Sequence, residues 1–267
     1  MPGKVFAFRA IAAATLFAAL ALPLPACAQT AAPPCDAPLD LLRLTNPLSR
    51  VSHKLISSEP ITIVAIGSSS TWGTGASSPA ANYPNRLAAE LHARFPHQSF
   101  TVLNRGVGGE EVNDMLRRFD AAVVGEKPDL VLWQIGTNSV IHDHVMSNRD
   151  TSIREGLKKI HSVGADVVLI DPQFAPKVII KPEAEHMVEM IATTAKQEEV
   201  DLFRRFDVMK RWNVVDNLPF GTFVSSDGLH MNDWGYACMA KGLASVIAEA
   251  AQRPVVSATT SISHLVP

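Results

Sequence analysis

From Ile61 to Ala251 the chain alternates short apolar runs with longer amphipathic stretches, and few architectures absorb that pattern. The runs are Ile61–Ile66, Phe100–Leu103, Leu130–Ile135, Val167–Ile170 and a weaker one at Val200–Phe203. Each has strand length and near-continuous apolar character, the mark of a strand covered on both faces. Between them, helical spacing appears in Tyr83/Leu87/Leu91/Phe95, Ile153/Leu157/Ile160, Met187/Met190/Ile191/Thr194 and Tyr236/Met239/Leu243/Ile247. Strands alternating with helices predict a three-layer α/β/α fold over residues 61–252, with a flavodoxin-like parallel sheet of about five strands.

The chain ends read differently. Met1 to Ala28 carries Lys4 and Arg9, then an apolar run from Ala10 to Leu22, then Leu24-Pro25-Ala26-Cys27-Ala28. That is the layout of a secretory signal cleaved after Ala28, too short for a membrane span of roughly 20 residues. The expectation is an exported protein, periplasmic or secreted, with no transmembrane span. Leu24-Pro25-Ala26-Cys27 also loosely resembles a bacterial lipobox, which leaves a lipid anchor at Cys27 open. Residues 29–60 read as a lead-in draped over the domain, and residues 253–267 as a loose tail. Cys35 and Cys238 remain after cleavage, and an oxidising compartment would permit them to pair, though the sequence does not say whether they meet. With 47% hydrophobic and 19% charged residues and a formal charge of −2, the chain is not a disordered one. It also has no Lys/Arg run of the kind a nucleic-acid binder uses.

In an open α/β sheet, functional groups collect just past the carboxyl ends of the strands. Four such segments hold unusual residues. Gly67-Ser68-Ser69-Ser70-Thr71-Trp72-Gly73 follows the first strand and reads as a turn or a nucleophile loop. Asn104-Arg105-Gly106-Val107-Gly108-Gly109-Glu110 follows the second; its glycines expose N–H groups but lack the spacing of a dinucleotide loop. Gly136-Thr137-Asn138 follows the third, where an Asn caps a helix or donates to an oxyanion. Asp227-Gly228-Leu229-His230 precedes the last helix, a separation that lets a carboxylate reach the imidazole across a tight turn.

Taken in order, these blocks resemble those of the SGNH hydrolases, also called GDSL esterases/lipases, over about Ile61–Ala251. The resemblance implies Ser69 as nucleophile, His230 as base and Asp227 as acid, with Ser69, Gly109 and Asn138 forming the oxyanion hole. It implies no metal and no cofactor. Two departures stand out: Ser68 and Ser70 replace the usual Asp and aliphatic residue around the nucleophile, and Ser139-Val140 replaces a frequent Asn-Asp after Asn138. His142-Asp143-His144 offers no third ligand at metal spacing. Trp72 reads either as an acyl-pocket wall or as core.

The function expected is an exported serine esterase acting on short-chain acyl or O-acetyl esters of carbohydrates, a small-molecule or glycan substrate. Lysophospholipase, thioesterase and acyltransferase activities are alternatives within the same chemistry. A non-catalytic periplasmic carbohydrate-binding module is the alternative of another class.

Overall fold

The computed structural model describes residues 33–35, 39–143 and 149–253, with isolated residues 1, 3 and 4. Apart from residues 1, 3 and 4, the expected signal lies outside the described residues, as do Cys27, His144 and all but the first residue of the expected tail. The compact unit begins at Cys35.

Five parallel strands form one sheet in the order β2-β1-β3-β4-β5: β1 (Ile61–Gly67), β2 (Phe100–Gly106), β3 (Leu130–Gln134), β4 (Asp166–Ile170) and β5 (Asp201–Phe203). The helices, in chain order, are α1 (Leu39–Leu42), α2 (Ser49–Ser57), α3 (Ser69–Trp72), α4 (Tyr83–Arg94), α5 (Val112–Arg117), α6 (Phe119–Ala122), α7 (Thr137–Ile141), α8 (Arg149–Ser162), α9 (Pro176–Ile179), α10 (Ala184–Gln197), α11 (Arg205–Val214) and α12 (Asp233–Ala251). All five expected strands are present, four of them within one residue of their apolar runs; β2 runs three residues past Leu103, so Asn104, Arg105 and Gly106, expected in the loop, end the strand instead. Burial of β1 and β3 along almost their whole length explains why those runs are continuous rather than alternating. Local signals set the helix starts: Asn82 caps α4 by accepting from the Asn85 N–H at 3.0 Å, and Asn232 caps α12 by accepting from Gly235 N–H at 3.1 Å.

The expected lead-in contains structure of its own. Leu42, Leu44, Leu48 and Val51 are buried in the core, and three carboxylates at the amino ends of strands hold the segment down. Asp201 accepts from the Thr45 and Asn46 N–H groups, Asp166 from those of Arg50 and Val51 at the start of α2, and Asp129 from the Arg50 guanidinium. Asp166 is pushed up to about 6 because burial outweighs those hydrogen bonds. Cys35 pairs with Cys238 of α12 in a disulfide with a Cα–Cα distance of 5.3 Å, which answers the open question of their pairing. Among the described residues no helix is long and apolar enough to cross a membrane.

Candidate active site

The strand order reverses direction between β1 and β3, and the exits of β1, β2 and β3 meet on that carboxyl edge. Gly67 ends β1 and Gly106 ends β2, and neither position can accept a side chain. A Cβ on Gly67 would lie 2.2 Å from Thr71 Oγ1, and one on Gly106 would lie 2.2 Å from the Trp72 backbone nitrogen. The missing side chains let α3 settle directly over both strand ends.

Buried polar groups fix that turn from beneath. Gln134 Oε1, at the end of β3, accepts from the Ser68 N–H at 2.9 Å, the Ser68 hydroxyl at 3.0 Å and the Thr71 hydroxyl at 3.3 Å. Thr71 Oγ1 also lies 3.1 Å from the Tyr83 hydroxyl. Asn104 donates to the Thr71 carbonyl at 2.8 Å and accepts from Gly106 N–H at 2.9 Å. Of the three adjacent serines, Ser68 and Ser70 are therefore buried, and Ser69 is the half-exposed one. Trp72, one helical turn further along the same face, is 65% exposed and so is not core.

Ser69 Oγ lies 2.8 Å from His230 Nε2, and His230 Nδ1 lies 2.6 Å from Asp227 Oδ2. The other carboxylate oxygen, Asp227 Oδ1, accepts from the Ser225 hydroxyl at 2.7 Å, Leu229 N–H at 2.8 Å and His230 N–H at 3.0 Å. Burial alone raises the Asp227 carboxyl, but the hydrogen bonds from His230, Ser225 and the two backbone N–H groups outweigh it and hold the pKa well below the usual carboxylate range. An ionised Asp227 only accepts, so Nδ1 carries the imidazole hydrogen and Nε2 is free to take the Ser69 proton. Asp233, three residues past His230, is engaged elsewhere, accepting from the Ser77 N–H and hydroxyl.

Gly109 and Asn138 flank the same edge. The loop after β2 leaves the strand with Val107 N–H donating to Gly67 O at 3.0 Å, and a Cβ on Gly108 would have Ser69 Cβ as its nearest neighbour, at 4.0 Å. Gly109 takes φ +81° with open space around it, a conformation that favours glycine. Arg118 clamps the loop, donating to both Glu110 carboxylate oxygens and to the Arg105 carbonyl. Asn138, in the first turn of α7, gives one amide hydrogen to Glu110 O at 2.8 Å and keeps a second. Ser69, as the first residue of α3, has an N–H with no acceptor inside its own helix. Backbone and amide N–H groups of this kind are the donors a developing oxyanion calls for. His142 Nδ1 stands 3.5 Å from Glu111 and Asp143 pairs with Lys181; among the described residues no three His, Cys, Asp or Glu are arranged to hold a metal.

Sequence reasoning did not find Gln134, Thr71 and Asn104, the supports of the serine turn. Gln134 carried one signal: it is the polar residue that closes an otherwise apolar strand.

Over 74 residues, 28% of this chain, the sequence is 34% identical to an acetylxylan esterase of Geobacillus stearothermophilus, and the matched part is 31% of that enzyme. Among solved structures, a two-domain esterase active on acetylated mannans, crystallised with mannopentaose, superposes with a TM-score of 0.67 at 19% identity. That match covers 80% of this chain and 56% of the other, so this chain spans about half the length of that esterase. A catalytic mutant of Axe2, an acetylxylan esterase from Geobacillus stearothermophilus, superposes with a TM-score of 0.61 at 17% identity, over 70% of this chain and 94% of that one. At such identities these structures speak for the fold alone. Residues 34–253 match the non-GDSL lipase-like family, and the chain belongs to that family.

Proposed function

We propose that the protein is a serine esterase of the SGNH type that removes short acyl groups, O-acetyl above all, from carbohydrates outside the cytoplasm. The observation that carries this reading is the imidazole of His230 held between Ser69 Oγ at 2.8 Å and Asp227 Oδ2 at 2.6 Å. His230 takes the Ser69 proton as Ser69 Oγ attacks the ester carbonyl, and Asp227 stabilises the imidazolium that forms. The oxyanion is received by the N–H groups of Ser69 and Gly109 and by the free amide hydrogen of Asn138. The imidazolium then protonates the departing sugar oxygen. A water molecule deprotonated by His230 attacks the acyl-Ser69, and acetate leaves as Ser69 recovers its proton.

Four observations favour an exported esterase acting on carbohydrate. The relatives named above act on acetylated xylan and acetylated mannans, and the indole of Trp72 stands exposed on the Ser69 side of α3, open to a sugar ring. The disulfide between Cys35 and Cys238 and the signal-like residues 1–28 suit an oxidising compartment. The test is acetate release from acetylated xylan and acetylated glucomannan, run beside p-nitrophenyl acetate. The proposal expects turnover of all three and none by Ser69→Ala. A folded protein that releases acetate from none of them refutes it.

A further inference from the structure

Behind the Asp227–His230 turn runs a buried chain of polar side chains that the hydrolytic steps do not use. It starts at Arg205, the first residue of α11, which is 1% exposed. Arg205 Nε donates to the Asp171 carbonyl at 2.9 Å, and Nη2 reaches Thr137 Oγ1 at 3.4 Å. Thr137 Oγ1 lies 2.9 Å from Gln173 Oε1, and Gln173 Nε2 donates to the Leu229 carbonyl at 3.3 Å. Thr137 and Gln173 are also buried.

The direction of every link follows from the two ends. A guanidinium carries only donors, so the Thr137 hydroxyl accepts from Arg205; the Leu229 carbonyl only accepts, so Gln173 turns its nitrogen there and its Oε1 to Thr137, which gives it the hydroxyl proton. Burial lowers Arg205 to about 10, which still leaves it protonated, and hence a pure donor, at neutral pH. With Oε1 turned to Thr137, the amide nitrogen of Gln173 faces Leu229 O. That carbonyl belongs to the same peptide unit as the His230 N–H, which donates to Asp227 Oδ1 at 3.0 Å. The peptide immediately before His230 is thus gripped from both sides. The buried charge is only partly compensated: the Asp171 carboxyl supports it electrostatically, but Arg205 Nη1 finds no acceptor among the described residues, and a buried cation with an unmatched donor costs free energy relative to an apolar core.

We propose that Arg205 is a positioning residue which, acting through Thr137 and Gln173, sets the peptide plane before His230 and so aims the imidazole at Ser69. Because Thr137 adjoins Asn138, one buried cation ties the oxyanion block to the acid–base block. The inference rests on the Ser69–His230–Asp227 reading.

Thr137→Val keeps the side-chain shape and removes the hydroxyl, Gln173→Met cuts the far link, and Thr137→Ser restores the hydroxyl. On p-nitrophenyl acetate, Thr137→Val and Gln173→Met should lose roughly 10- to 100-fold in kcat with KM within about twofold, and Thr137→Ser should return to within about threefold of wild type. The low-field NMR resonance of the His230 Nδ1 proton should broaden in Thr137→Val and recover in Thr137→Ser. Wild-type kcat in Thr137→Val, or an equal loss in Thr137→Ser, overturns the proposal. If Thr137→Val does not fold, the wild-type protein still decides: the chain requires slow solvent exchange of the Gln173 amide protons, and rapid exchange overturns it. A wild-type protein that forms no fluorophosphonate adduct at Ser69 would refute the esterase reading instead, while the resonance and exchange measurements would still test the chain.

Discussion

Replacing Asp227 by Asn probes the electrostatic logic of the site with no change of shape. In the native protein Asp227 Oδ1 accepts three hydrogen bonds, from the Ser225 hydroxyl and the Leu229 and His230 N–H groups, while Oδ2 faces His230 Nδ1. An Asn side chain has one acceptor and one donor end. Three donors converge on the Oδ1 position, so the amide oxygen must sit there, and the NH₂ group must face Nδ1. His230 Nδ1 then becomes the acceptor and Nε2 carries the hydrogen. In that tautomer Nε2 cannot take the Ser69 proton. The same tautomer inversion in a serine–histidine–aspartate triad costs about 10⁴ in kcat, which at about 1.4 kcal/mol per decade is roughly 5 kcal/mol of transition-state stabilisation. The assay is p-nitrophenyl acetate turnover by Asp227→Asn beside wild type, with circular dichroism melting to verify the fold. A loss of three to four decades with an unchanged melting curve is expected. Retention of activity within about tenfold would refute the tautomer argument, because the three converging donors leave the amide no other orientation.

Four further outcomes follow from the structure. Asn138→Ala removes a donor from the proposed oxyanion hole and should lower kcat by about 10²–10³ without abolishing labelling of Ser69. Gly156→Ala would put a Cβ 2.2 Å from Cη2 of the fully buried Trp133, so chemical denaturation should show a loss of about 1–3 kcal/mol despite the better helix propensity of Ala. Cutting the disulfide by Cys35→Ser/Cys238→Ser frees a span of 203 residues and should cost about 5 kcal/mol, read as a lower denaturation midpoint that reductant no longer shifts. Burial pushes Asp171 up to about 7, so the native state binds that proton more tightly than the unfolded chain does. Stability from this group is therefore full below the unfolded value and declines as pH rises toward 7, and Asp171→Asn, which keeps an acceptor for Phe206 N–H, should flatten the fall of Tm over that window.

What could be read in the sequence was whatever left a local trace. The strands are apolar runs because their residues are buried on both faces, and the four site blocks announce themselves as polar and glycine-rich breaks at the ends of those runs. The choice of Ser69 among three serines was legible only through the resemblance. Its physical cause, Ser68 and Ser70 turned inward with Ser68 bound to Gln134, depends on a residue 66 positions away. Helix α2 of the lead-in was illegible for a similar reason. Leu44, Leu48 and Val51 stand among serines and prolines without clear periodicity, and the groups that fix them, Asp166 and Asp201, lie more than a hundred residues on. The Arg205 chain left no trace at all, since an Arg at a helix start reads as a solvated charge until the fold closes over it.

The central claim is that Ser69 is the nucleophile of an ester hydrolase, and covalent capture tests it most directly. Wild-type protein incubated with a fluorophosphonate and digested for mass spectrometry should carry the adduct on Ser69, with Ser69→Ala unlabelled and inert toward acetylated xylan. An adduct on Ser68 or Ser70, or equal labelling of Ser69→Ala, would contradict it.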